Sequence, residues 1–289
     1  MDGFLNILKP PGMTSHDVVS FLRKNFNIKK VGHLGTLDPG AAGVLPLCIG
    51  KATKLAQFVM TQTKTYRAEI TFGFSTDSID KFGNITSVMP VKILEQHKIS
   101  EIESVFKGNV LQIPPIYSAK KVDGKKLYQY AREGKTIDIK PSFVTIYDIN
   151  VISYEAPYKI MFDVKCSKGT YVRALVRDIC DYLNISGYMS MLIRSSVGSF
   201  TLENSFTLEE VVSGKYKIMK IDDIITFPGV CLGNDDYRKI VHGNPVKNKY
   251  IDANDELIKL YSPEHFFVGV GKVVGDRIYV ERLLFGADG

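Results

Sequence analysis

Between Lys64 and Phe74 the apolar residues Tyr66, Ala68, Ile70, Phe72 and Phe74 alternate with Arg67, Glu69 and Thr71, the two-residue period of a strand with one buried face. Phe4–Leu8 reads as a shorter strand that stops at the turn composition Lys9-Pro10-Pro11-Gly12. After it Thr14 or Ser15 can cap a helix, because Val18, Val19, Leu22 and Phe26 recur with a 3.6-residue period. Residues 43–50 form a nearly continuous apolar run, and 52–60 read as helical. Ser100 is placed as the cap of a helix through Phe106. Residues 144–154 and 158–166 predict two strands joined at Glu155-Ala156-Pro157, followed by a helix over 171–183, a second hairpin-like region and a short helix at 207–213. Phe227-Pro228-Gly229 is the best linker, and beyond it short strands are predicted around Val246, Tyr250-Ile251, 257–261, 266–274 and 277–284. Strands and helices thus mix in a larger α+β domain at 1–226, with a small β-rich domain at 227–289.

The length of 289 residues suits one large and one small domain. No apolar stretch reaches the roughly 20 residues that cross a bilayer, and Met1-Asp2-Gly3 lacks a signal-peptide opening, so the expected location is the cytoplasm with no membrane contact. Cys48, Cys166, Cys180 and Cys231 form no CxxC pair, and the five histidines are scattered, which gives no metal site. Charge is more informative. The net +6 is uneven: residues 228–289 hold eight Lys/Arg against nine Asp/Glu, a balance of −1, which leaves +7 for residues 1–227. Within 120–140, seven cations including Lys120 and Arg132 face three acids and interleave with Tyr128 and Tyr130, a pattern that suits phosphate contact with base stacking and equally a solvated face.

The run from Gly32 to Val44 seats one carboxylate, Asp38, among glycines at 32, 35, 40 and 43, with Pro39 fixing φ directly after it. An Asx-turn and a functional acid are equal readings on spacing alone. Gly50-Lys51 fails as a Walker A loop, since Leu45 stands at the required glycine position and Ala52 follows the lysine. Gly32-His33-Leu34-Gly35 fits the GXXG of a KH module, but four residues carry little weight.

Separated segments then coincide with one known pattern. Lys9-Pro10-Pro11-Gly12-Met13-Thr14-Ser15, the Gly32–Val44 loop running on to Gly50-Lys51-Ala52-Thr53-Lys54, Lys64-Thr65-Tyr66-Arg67-Ala68, Ile113 to Gly134, and Cys166-Ser167-Lys168-Gly169-Thr170-Tyr171-Val172-Arg173 closely resemble the bacterial TruB family of tRNA pseudouridine synthases. The resemblance covers residues 1 to about 200. Leu34 and Ala42 depart from it, standing where a small residue or Thr and Thr or Ser are usual. The tail from Phe227 is similar to a PUA domain.

The resemblance implies a mixed, mainly antiparallel sheet, a thumb-like insertion at about 114–141 that grips the T-arm of tRNA, and isomerisation of the T-loop uridine, position 55, without cofactor or metal. It assigns catalysis to Asp38, a bidentate counter-cation to Arg173, and base stacking with a possible proton transfer to Tyr66. His33, Asp80, Tyr171, Leu192, Lys120 and Arg132 are the implied RNA contacts. A monomer with no obligatory protein partner is expected. Asp77 and Asp80 either accept from RNA donors or close a turn. Two rivals remain at this point: an RNA-binding protein without catalysis, and a glycoside hydrolase in which Asp77 or Asp80 partners Asp38.

Overall fold

A computed structural model describes residues 1–135, 137–252 and 254–285. Its larger sheet runs in the order Gly3–Lys9, Ala42–Ile49, Gly187–Val197, Lys64–Phe72, Lys159–Cys166, Ser142–Glu155 and Gly108–Gln112, with Val31–His33 and Phe200–Thr201 paired at its sides. All these pairings are antiparallel except that of Ala42–Ile49 with Gly187–Val197, where Ile193 faces Ala42 and Arg194 faces Gly43. The mixed, mainly antiparallel sheet implied by the resemblance is therefore present. At the parallel seam the chains come so close that a Cβ on Gly43, whose φ is +111°, would stand 2.3 Å from the Arg194 carbonyl oxygen. Only glycine fits there.

The alternation read at 64–74 is borne out over Lys64–Phe72: Tyr66, Ala68, Ile70 and Phe72 are buried. Against that face lie Val172, Leu175, Val176 and Ile179 of the helix Val172–Leu183, which completes the main core. Helix Ser15–Phe26 begins with a reciprocal cap, in which Thr14 Oγ1 accepts the Asp17 N–H at 3.0 Å and Asp17 Oδ2 accepts the Thr14 N–H at 2.8 Å. It ends at Asn27 in a left-handed conformation.

Four local readings differ from the structure. Residues 50–60 are a 3-10 turn, Gly50–Leu55, followed by a single α-turn, Ala56–Val59; Thr53 Oγ1 donates back to the Gly50 carbonyl at 2.7 Å and tightens the chain. The third helix starts at Gln96, and Ser100 lies inside it, donating to the Gln96 carbonyl. Tyr250-Ile251 is a turn because Asn248 Oδ1 accepts both of their N–H groups, at 3.2 and 3.3 Å. The tail also contains a helix, Asn234–Val241, that the strand pattern did not announce.

The C-terminal sheet has the order Gly229–Cys231, Leu257–Tyr261, Phe267–Val274, Arg277–Leu283, Val246–Lys247, and closes its own core around Val230, Ile240, Ile258, Leu260 and Ile278. Val270 and Leu284 instead join Phe4, Leu34 and Val44 in the cluster beneath the Asp38 loop, and Lys54 Nζ donates to the Leu284 carbonyl at 2.9 Å. No helix among the described residues is long and apolar enough to cross a membrane.

Candidate active site

The loop over residues 34–41 is fixed at both ends before its carboxylate meets anything. Leu34 is fully buried beside Phe4, Val44 and Cys48, which anchors the loop in the core, and its N–H donates to the Pro46 carbonyl at 2.9 Å. Ser15 Oγ accepts the Leu37 N–H at 2.9 Å and donates to the Leu37 carbonyl at 3.1 Å. Pro39 is held from the other side, since its carbonyl accepts the Gly12 N–H at 2.8 Å and the Lys9 ammonium at 3.3 Å. Lys9 is buried and also donates to Pro10 and Met13, and desolvation pushes its pKa down to about 8 against the pull of Asp38. The motif Lys9–Ser15 is thus a clamp on the residues either side of Asp38.

The turn itself closes through the main chain, with the Ala41 N–H donating to the Asp38 carbonyl at 3.0 Å. The Asp38 carboxylate goes to Arg173 instead: Nε lies 2.9 Å from Oδ2. This contact is single and not the bidentate pair that was expected. The other guanidinium nitrogens are taken by the Ser78 carbonyl at 3.1 Å and the Tyr117 carbonyl at 2.8 Å, with Asp80 Oδ2 at 3.6 Å from Nη1. Arg173 stands second in its helix, the end where a cation opposes the macrodipole, and is only 6% exposed. Two carboxylates and two carbonyls offset that placement.

Asp80 and Asp77 are both engaged locally. Asp80 Oδ1 accepts from Ser78 Oγ at 2.6 Å and from the Phe82 N–H at 3.0 Å, while Asp77 takes the N–H and side-chain amide of Asn84. Asp77 therefore closes a turn, and Asp80 braces Arg173.

Asp38, Arg173 and Leu192 line two cavities, of about 770 Å³ and about 580 Å³. The larger is also lined by Tyr66, Tyr171, Lys120, Lys64 and Lys168, and the smaller by Asp80, Arg132, Tyr117 and Phe82. Burial raises the phenol pKa of Tyr66 and of Tyr171, which keeps both protonated near neutrality. Tyr171 is clamped by Gln112, which accepts its N–H at 3.1 Å and donates to its carbonyl at 3.3 Å. Leu192 sits across from Ala68, two strand positions from Tyr66. His33 is apart from this group: it lines neither cavity, faces Leu47, and burial with the nearby Arg194 lowers its pKa and keeps the ring neutral. Lys120 is half-buried in the wall of the larger cavity, and the Arg132 guanidinium lies 5.3 Å over the Tyr128 ring.

Residues 23–172 match the model of the TruB family pseudouridylate synthase N-terminal domain, and 228–284 match that of the pseudouridine synthase II TruB C-terminal domain. The tRNA pseudouridine synthase B of Caldanaerobacter subterraneus is 54% identical over 98% of this chain and 99% of its own, and that of Alkaliphilus oremlandii is 49% identical over 99% of each. The chain belongs to the TruB family of pseudouridylate synthases. A crystal structure of a Cbf5-Nop10-Gar1 complex shares the fold at 24% identity, with a TM-score of 0.76 over 99% of this chain and 86% of that one.

In this TruB-family chain, the contact most easily missed in sequence is Arg194. It is fully buried and donates to the carbonyls of Val44 at 2.8 Å, Thr36 at 3.2 Å and Gly35 at 3.1 Å, so it carries the Asp38 loop from below. Its sequence context, an arginine in an otherwise strand-like run, gives no signal of this; only the parallel seam brings it under the loop. Arg194→Met is expected to lower the unfolding free energy in urea by about 2–4 kcal/mol, because one buried carbonyl, that of Val44, and two partly buried ones, those of Gly35 and Thr36, lose their donor. No loss would mean that desolvating the guanidinium costs as much as its hydrogen bonds return.

Proposed function

We propose that this chain isomerises the T-loop uridine of tRNA, position 55, to pseudouridine, acting in the cytoplasm as a monomer without cofactor. The observation that carries this reading is the Asp38–Arg173 pair on the wall shared by the two cavities, with Tyr66 facing the larger one. The reaction breaks N1–C1′, turns the uracil, and joins C5 to C1′ without losing the base. One carboxylate on a fixed loop suffices on the ribose side. Arg173 keeps that carboxylate aimed, and Tyr66 and Leu192 supply surfaces for the base.

A T-loop uridine cannot reach such a cavity while stacked, so the nucleotide must flip, at a cost of a few kcal/mol. The ribbon Lys121–Val122 and Lys125–Lys126 and the helix Leu127–Arg132 lie within the 114–141 segment that we assign to gripping the T-arm. Lys120, Arg132 and Tyr171, which line the cavities, are assigned as RNA contacts, and His33, which lines neither, as a contact beside the flipped nucleotide. The hydrolase reading is weakened at its second acid, since Asp77 and Asp80 line the smaller cavity with Asp38 but are both held by local donors. With a T-arm transcript tritiated at uridine C5, the protein should release tritium while the RNA mass stays constant. Free uracil in place of an isomer would replace this reaction with glycoside cleavage.

A further inference from the structure

Lys64 lines the larger cavity without work in the reading above, and its setting is unusual for a lysine. It is buried at 9% exposure, and two of its three ammonium N–H groups are spoken for by the carbonyls of Gln62 at 3.0 Å and Met60 at 3.4 Å. A mobile lysine that tethers phosphates keeps its head in water. This one is held at a fixed point of the cavity wall.

Its place in the sheet says what it meets. Lys64 and Tyr66 are two apart on one strand, so both project from the same face, about 6.6 Å apart along the chain. Across the sheet Tyr66 is opposite Arg194 and Ala68 is opposite Leu192. The cavity floor therefore has an apolar end at Leu192, a ring at Tyr66, and a cationic end at Lys64. Uracil has the same polarity, with a C5–C6 hydrocarbon edge and carbonyl oxygens O2 and O4. A uracil laid on Tyr66 would turn its hydrocarbon edge toward Leu192 and a carbonyl toward Lys64.

We propose that Lys64 is a catalytic residue that hydrogen-bonds a carbonyl of the flipped uracil and stabilises the ring as it leaves C1′. When N1–C1′ breaks, both electrons stay on N1 and the negative charge spreads to O2 and O4. The ring is neutral again once C5 has bonded to C1′, C5 has lost its proton and N1 has gained one. A fixed ammonium at a carbonyl favours the anionic stage over the bound substrate, which raises the rate instead of the affinity. This inference rests on the proposed uridine isomerisation.

Burial, with Arg194 and Lys168 nearby, pushes the Lys64 pKa down to about 8. The Cys166 thiol opposite is pushed up to about 11 and the Tyr66 phenol upward also, so these neighbours hold their protons while Lys64 titrates. The Asp38 carboxylate shares the cavity. The ammonium is present below pH 8 and is lost above it, and the single-turnover rate should fall through that range.

The experiment measures single-turnover tritium release, RNA affinity and its salt dependence on the T-arm transcript, for the full-length protein. Lys64→Met should slow the chemical step about 10²-fold at pH 7 with RNA affinity and salt slope unchanged. Lys64→Arg, which stays charged, should remove the alkaline fall near pH 8. A Met variant with the wild-type rate overturns the proposal. So does one that chiefly loses affinity with a salt slope smaller by about one, because that marks a phosphate contact. If Lys64→Met does not fold, the wild-type profile decides: a flat rate from pH 7 to 9 overturns it. Wild-type protein that releases no tritium would sink the isomerase reading itself, a different failure from an active wild type indifferent to Lys64.

Discussion

Asp38→Asn should abolish pseudouridine formation, with single-turnover tritium release falling by about 10⁴-fold or more. Asparagine keeps the shape of the side chain and removes its charge, so what is tested is the carboxylate. The loop should survive the change. Leu34 in the core, Ser15 on Leu37, Lys9 on Pro39 and Arg194 below hold it without any help from the Asp38 side chain. Arg173 would keep Asp80 and the carbonyls of Ser78 and Tyr117. Because the carboxylate is 34% exposed, losing its ion pair should shift thermal unfolding by no more than about 4 °C. RNA binding should stay within a fewfold of wild type. An Asp38→Asn protein that keeps a tenth of the wild-type rate would show that the loop acid is structural.

The sequence carried the elements that depend on local pattern. The strand at Lys64–Phe72 has a two-residue period, the first helix has its cap in Thr14 and Asp17, and both emerge where they were read. What escaped was set by distant partners. Gly108–Gln112 is too short and too polar to announce itself, and it becomes a strand because Ser142–Glu155 offers an edge. Asp38 was legible as an acid isolated among glycines, yet an Asx-turn was an equal reading, and the contact with Arg173 that holds the carboxylate spans the chain. The bidentate pairing failed for a related reason: nothing in the local sequence revealed that Ser78 and Tyr117 present carbonyls to the same guanidinium. Lys9 and Arg194 were invisible as supports, since a buried cation bonded to carbonyls has no acidic partner to mark it in sequence.

Arg173 carries the second large effect, and two substitutions separate its charge from its geometry. Arg173→Ala leaves Asp38 and Asp80 without their shared cation and strips the Ser78 and Tyr117 carbonyls of a donor. A fully buried pair broken in this way costs about 3–5 kcal/mol; with Asp38 one-third exposed, solvent screening reduces the expected loss to about 2–3 kcal/mol. Arg173→Lys restores a positive charge at one point, but an ammonium has no planar fork with which to meet Asp38 through Nε while Nη1 and Nη2 reach two carbonyls. The lysine variant should therefore recover most of the stability and little of the rate, remaining about 10²-fold slow in the chemical step. The Ser78 carbonyl and Asp80 sit either side of Ile79, whose φ of +62° is a costly conformation for a β-branched residue, and the turn holds it through Ile79 N–H to Thr76 and Met189 N–H to Ile79 bonds. Such a turn is a rigid abutment, which fixes the guanidinium and through it the carboxylate. If Arg173→Lys works at the wild-type rate, charge alone is enough and the abutment has no catalytic purpose.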